Sequence, residues 1–181
     1  MEQLLSAEAT GKRIKYLPFW GHTAPSNGAI GPHMFSQWYA HAFEHEGVRY
    51  RTAEHFMMAG KARLFEDLEA LNRILNAKTP GEAKGIGREV RGFSPEMWEA
   101  ECLSIVTNGS IAKFSSSAEL RAYLLGSKDR VLVEASPRDR IWGIGMGRNN
   151  PLVERPSQWR GRSTVIASSS PALAPRKSRR S

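Results

Sequence analysis

The chain has 181 residues, 40% of them hydrophobic and 24% charged, which is the composition of one globular domain with a core of its own and excludes a wholly disordered chain. No run of about 18 apolar residues is present, so no helical membrane span is expected. Half of the formal net charge of +8 comes from Arg176, Lys177, Arg179 and Arg180, so the basic character is concentrated at the end of the chain.

In chain order, residues 1–13 read as an N-terminal extension, with early acids and no apolar stretch of the kind a secretory leader needs. Ile14 to Trp20 reads as a short strand closed by Gly21, and the Pro- and Gly-rich stretch His22–His33 as a loop. A strand pair is expected around Phe43 and Val48–Tyr50, turning at Glu46-Gly47. Thr52 caps a helix from Ala53 to Leu75, with room for a break, in which Leu64, Leu68, Leu71 and Leu75 would bury one face. Thr79-Pro80-Gly81-Glu82 and Ser94-Pro95-Glu96 are helix starts, the second opening a helix from Met97 to Ser110. A shorter helix follows Ser116 and ends at Gly126, Val131–Val133 is a strand, and Asp139–Gly147 is a Gly-rich loop. Several helices on a small sheet give an α+β domain over 14–162, followed by a basic, Ser/Pro-rich tail, 163–181, expected to be disordered. The single cysteine, Cys102, can form no internal disulfide, which fits a cytoplasmic, soluble protein.

The residues that could carry chemistry begin on the helix after Thr52. Glu54, Met58, Lys61 and Phe65 recur at i, i+4, i+7 and i+11 and share one face. The Glu54 and Lys61 backbones would lie about 10 Å apart along the axis, within reach of one small ligand. The plainer alternative is a carboxylate and a lysine on a half-exposed helix. Trp20, Trp38, Trp98 and Trp142 sit beside polar or glycine residues, where an indole could stack on a base; any one of them could equally fill core. Arg138, Arg140 and Arg148 around the glycine loop are candidate phosphate partners or simply partners for surface acids. Gly143-x-Gly145-x-Gly147 lacks the spacing of a dinucleotide loop. His41 and His45 without further ligands make a metal site a poor reading, and no cofactor is expected.

Four blocks give these pieces a common origin. Phe35-Ser36-Gln37-Trp38, Thr52-Ala53-Glu54-His55-Phe56 with Lys61, the Arg88 to Trp98 region, and Val133-Glu134-Ala135-Ser136-Pro137-x-Asp139-x-x-Trp142-Gly143 together resemble the NADAR family, which includes the YbiA-like proteins. Asn108 to Phe114 fits the same pattern, and the similarity runs over residues 14–162. The resemblance implies a small α+β N-glycosidase with Glu54 as catalytic carboxylate. Lys61, Trp98, Asp139 and Trp142 are then expected in the pocket, together with Trp20, Ser36, Gln37, Trp38, Met58 and Gly143. Family activities are of two kinds, cleavage of ribosylamino-pyrimidine phosphates of riboflavin synthesis and removal of ADP-ribose from guanine in nucleic acid. Two departures stand out. Gln37 replaces a usual asparagine, and after Trp159-Arg160-Gly161 the family's last helix is lost or replaced, with Ser163 at an asparagine position.

On this resemblance Glu54 is expected to face the ribose carbon, with Asp139 orienting hydroxyls or sharing the acid–base work. Trp98 and Trp142 would hold the base, and Arg88 and Arg148 would receive phosphate. Lys61 would bind phosphate or attack the opened sugar as an amine. A different class of reading also stands: a degenerate family member that binds ADP-ribose or nucleic acid without cleaving it. The basic tail reads as a solvated appendage or, alternatively, as an element for non-specific nucleic-acid contact beside an incidental pocket.

Overall fold

The computed structural model describes residues 1–161 and the backbone of 166–167. Helix α1 (Glu2–Ala9) precedes strand β1 (Tyr16–Phe19), a 3₁₀ turn (Pro32–Phe35) and a hairpin of β2 (Phe43–His45) and β3 (Val48–Tyr50). Five helices follow: α2 (Ala53–Leu64), α3 (Leu68–Asn76), α4 (Pro80–Arg88), α5 (Pro95–Ser115) and α6 (Ala118–Gly126). Strand β4 (Val131–Glu134), a second 3₁₀ turn (Pro156–Gln158) and β5 (Ile166–Ala167) complete the domain. β4 lies between β1, to which it is parallel, and β5, to which it is antiparallel. The tail expected from residue 163, and the altered final helix, lie outside the described residues apart from the β5 backbone.

The helix starts are where local chemistry places them. Thr52, Asp67, Thr79, Ser94 and Ser117 each accept a hydrogen bond from a backbone N–H of the first turn, and α4 and α5 carry proline at the start. The Glu82 carboxylate also reaches back to the Lys78 N–H at 2.7 Å, closing the start of α4 from both sides.

α2 is the hub of the fold and packs against α3, α4 and α5. It is buried on every side from Ala53 to Ala59, so that stretch presents no solvent face. Small residues let its neighbours approach: a Cβ at Gly87 would collide with the Met58 sulfur, and one at Gly109 would lie 2.6 Å from the Phe56 ring. Around it Phe43, Tyr50, Phe56, Ile74, Ile86 and Val106 form the main core. A second cluster joins Phe19, Phe35, Phe114, Leu124 and Leu132 across β1, α5, α6 and β4.

Two expectations change. The helix from Ala53 to Leu75 is broken at Glu66, whose φ of 55° no helix accepts, and Asp67 restarts it as α3. The break resets the helical phase, so Leu68 is 72% exposed while Ala70 and Ile74 point inward, and the four-leucine face does not form. The N-terminal extension is itself helical: the Glu8 carboxylate accepts from the Ser157 N–H at 2.8 Å and the Ser157 hydroxyl at 3.0 Å.

Candidate active site

Thr52 starts α2 and thereby places Glu54 in its first turn, with the Glu54 N–H donating to the Gln37 carbonyl at 2.9 Å. The side chain is 2% exposed, and Oε1 has no hydrogen-bond partner among the described residues. Burial drives the carboxyl up, Lys84, a hydrogen bond from the Trp38 side chain and Arg88 pull it down, and Asp139 pushes it up again; burial wins, at about 7. A buried acid poised at neutrality with an unsatisfied oxygen is costly for folding and useful for proton transfer.

A second carboxyl shares this field. Glu134 closes β4 opposite Phe19 of β1, at the carboxyl ends of the two parallel strands, where open α/β sheets commonly hold their ligands. Burial and the charges of Asp139 and Glu54 raise it to about 7 as well, while Lys84 opposes them. Asp139 organises the turn that follows: its Oδ1 accepts from the N–H groups of Ile141 and Trp142 at 2.8 and 2.9 Å. Gly143 lets this turn fold against β4. A Cβ there would sit 2.8 Å from the Asp139 carbonyl and 3.1 Å from that of Glu134, and the next residue, Ile144, donates its N–H to the Glu134 carbonyl at 3.0 Å.

The cation at these carboxyls is Lys84, from α4. Its Nζ lies 5.8 Å from the centre of the Trp38 ring, and the His22 ring stands 5.6 Å from the same indole. Arg88, one turn further along α4, is exposed and adds its charge to the field at Glu54. Lys61 is engaged differently. Its Nζ donates to the Gly87 carbonyl at 2.8 Å and sits over the Phe93 and Trp98 rings at 4.1 and 5.7 Å. It thus closes the last turn of α4, and it is not among the groups that shift the Glu54 carboxyl.

The remaining predicted residues divide in the same way. Trp38 stands beside Glu54 and lowers its carboxyl pKa, Ser36 accepts from the Trp38 N–H at 3.1 Å, and Gln37 acts through its backbone carbonyl, a bond indifferent to the exchange for asparagine. Trp142 packs against the main core from the Asp139 turn. Trp20, directly after β1, is 51% exposed. Met58 is buried against Gly87, Trp98 accompanies Lys61, and Arg148 is exposed without a hydrogen bond or ion pair among the described residues. Sequence reasoning missed Lys84 and gave Glu134 no role. Lys84 and Arg88 at i and i+4 on a capped helix were the available signal.

Two buried carboxyls raised toward neutrality, with a lysine, an arginine and indoles beside them, make a candidate acid–base site on a small α+β domain. The NADAR domain model matches residues 18–165, and the chain belongs to that family. It is 38% identical over 156 residues to N-glycosidase R617 of Acanthamoeba polyphaga mimivirus, covering 83% of this chain and 90% of that protein. To N-glycosidase YbiA of Escherichia coli (strain K12) it is 32% identical over 111 residues, 61% of this chain and 68% of that one. The riboflavin biosynthesis protein PYRR, chloroplastic, of Arabidopsis thaliana is 33% identical over 111 residues, 55% of this chain and 18% of that longer protein. The NMR structure of the E. coli protein YbiA superposes with a TM-score of 0.61 at 26% identity, covering 78% of this chain and 80% of that one. The α+β architecture is therefore that of YbiA.

Proposed function

We propose that this protein hydrolyses the bond between C1 of a phosphorylated ribose and an amine nitrogen of a pyrimidine-like base, with Glu54 at the sugar carbon. The class of reaction, a hydrolase acting on N-glycosyl compounds, is that of the relatives' printed names. One observation carries the finer reading: the buried Glu54 carboxyl, with an unpartnered oxygen and a midpoint of about 7, shares a field with a second carboxyl, Glu134, of the same midpoint.

Breaking a ribose C–N bond builds positive charge on C1 and negative charge on the leaving nitrogen. Two coupled carboxyls near neutrality do not both ionise readily, so one carries charge while the other keeps its proton. In this scheme the ionised Glu54 stabilises the cationic carbon, directs water to it and takes the proton that the adding water releases. Glu134 hands its proton to the leaving nitrogen, and the Asp139 charge, which raises both carboxyls, keeps a proton available to the pair. Trp38 and Trp142 supply faces for the base, and Lys84 and Arg88 supply charge for the ribose phosphate. The riboflavin-pathway relative supports a ribosylamino-pyrimidine phosphate as substrate.

The test is direct. Purified protein is incubated with a ribosylamino-pyrimidine phosphate and, separately, with DNA carrying ADP-ribosylated guanine, and release of free base or ADP-ribose is followed. Release from the pyrimidine, lost in Glu54→Gln, is the expected result. Release from the DNA alone would move the assignment to the second substrate. Binding of either without release would replace the enzyme reading by that of a binding module.

A further inference from the structure

One buried charge has no part in the scheme above. Lys113, in the last turn of α5, is 1% exposed, and its Nζ donates to the carbonyls of Met34 at 2.7 Å and Ser36 at 2.8 Å. It also lies 5.6 Å from the centre of the Tyr39 ring and 5.1 Å from that of Phe114. Its hydrogen-bond partners are carbonyls and not a carboxylate, and burial pushes its pKa down to about 7. A methionine would fill that space without desolvating an amine, so packing alone gives no account of a lysine here.

What the amine holds is the strand of chain leading into the site. Ser36, whose carbonyl Lys113 binds, accepts the Trp38 N–H on its hydroxyl at 3.1 Å. Gln37 accepts the Glu54 N–H on its carbonyl at 2.9 Å, and the Trp38 side chain stands beside the Glu54 carboxyl and lowers its pKa. Three consecutive residues therefore pass a constraint from α5 to both the backbone and the side chain of Glu54. A second tie lies further along: the Ser116 hydroxyl donates to the Lys113 carbonyl at 2.7 Å and meets His41 Nε2 at 2.9 Å.

We propose that Lys113 is a positioning residue, an amine clamp that fixes residues 34–38 so that Gln37 and Trp38 hold Glu54 in register with its substrate. The activity part of this inference rests on the reading of Glu54 as the catalytic carboxylate; the structural part does not. The groups facing Glu54 are Lys84, Arg88, Asp139, Glu134 and the Trp38 side chain. Those facing Lys113 are His33 and His41, with Glu119 acting on His41.

The experiment uses the full chain carrying Lys113→Met, with Leu124→Ala as a control cavity elsewhere in the neighbouring core cluster. The Glu54 carboxyl is titrated by carbon NMR without substrate, and kcat and KM are measured on the substrate the preceding assay identifies. Lys113→Met is expected to melt lower than the parent, because the Met34 carbonyl loses its donor, and to lose about 10- to 100-fold in kcat, as a displaced catalytic group does. Its KM should change less than about 3-fold on the same argument. The Glu54 midpoint should rise, because the Trp38 hydrogen bond that lowers it is loosened. Leu124→Ala should melt lower and keep both kcat and midpoint. Parent-like kcat and midpoint in Lys113→Met would overturn the proposal, as would an equal loss of kcat in Leu124→Ala. If Lys113→Met fails to fold, Lys113→Gln, which keeps two N–H donors, is judged by the same readings and should lie between it and the parent. Should Glu54→Gln retain full activity, the glycosidase scheme falls, while the substrate-free midpoint still decides for or against the clamp.

Discussion

The two ends of α2 treat buried polar groups in opposite ways. At its C-terminal end the account is closed: Lys61 satisfies the Gly87 carbonyl, and Asp67 accepts from the Ala70 N–H, the Arg91 N–H and the Arg91 guanidinium at once. At its N-terminal end Glu54 is equally buried but keeps an unpartnered oxygen, beside a second carboxyl and a lysine that does not fully offset either. Satisfied polar groups hold the fold; the unsatisfied ones have their capacity left for a substrate.

The comparison breaks most sharply at Glu54. Glu54→Gln should lose at least about 100-fold in turnover, as removal of a group acting on the transition state does. The same change should stabilise the protein above neutral pH. A carboxyl raised in the folded state contributes its stability fully below its ordinary value of 4.5 and loses it as pH rises through about 7. The parent's melting temperature should therefore fall relative to that of Glu54→Gln between pH 5 and 8, by up to about 3 kcal/mol in free energy. A melting difference that is flat with pH would contradict a raised Glu54.

Lys84→Met and Asp139→Asn sharpen the picture by moving the site in opposite directions. Removing the cation should raise the midpoints of the pH–rate profile and cost about 10- to 100-fold in rate. Removing the Asp139 charge, with an amide oxygen still able to accept from the turn, should lower those midpoints. Shifts of the same sign in both variants would show that they report folding and not the field.

Gly87→Ala should cost about 1–3 kcal/mol by overpacking Met58, read from denaturant unfolding, with the carboxyl midpoints unmoved. The smallest effect is expected at Lys61. Lys61→Met loses one helix-end hydrogen bond, about 1 kcal/mol, and should keep turnover within about 3-fold. A loss there as large as that of Glu54→Gln would return Lys61 to the chemistry.

How much of this was legible depended on distance along the chain. Thr52, Thr79 and Ser94 announce helix starts because a cap and its partner lie three residues apart, and all three caps form. Glu54 was legible through its motif, but its burial follows from α3, α4 and α5 enclosing α2, which no local pattern states. Lys61 looked convergent with Glu54 because they share a helical face. The C-terminal turn of α4, ending beside it, captures the amine instead. Lys84 reaches Glu54 only through the packing of α4 on α2, so its role appears in space and not in spacing. The leucine repeat misled at the turn after Leu64, where one residue in the left-handed region shifts every later side chain.

The pairing of Phe19 with Glu134 has a kinetic consequence. The helices between them can form from near neighbours, but β1 and β4 meet only when the ends of the domain are brought together, the slow kind of closure. On refolding from denaturant, helical dichroism should thus recover before catalytic competence, and a chain caught between the two would be ordered yet inert.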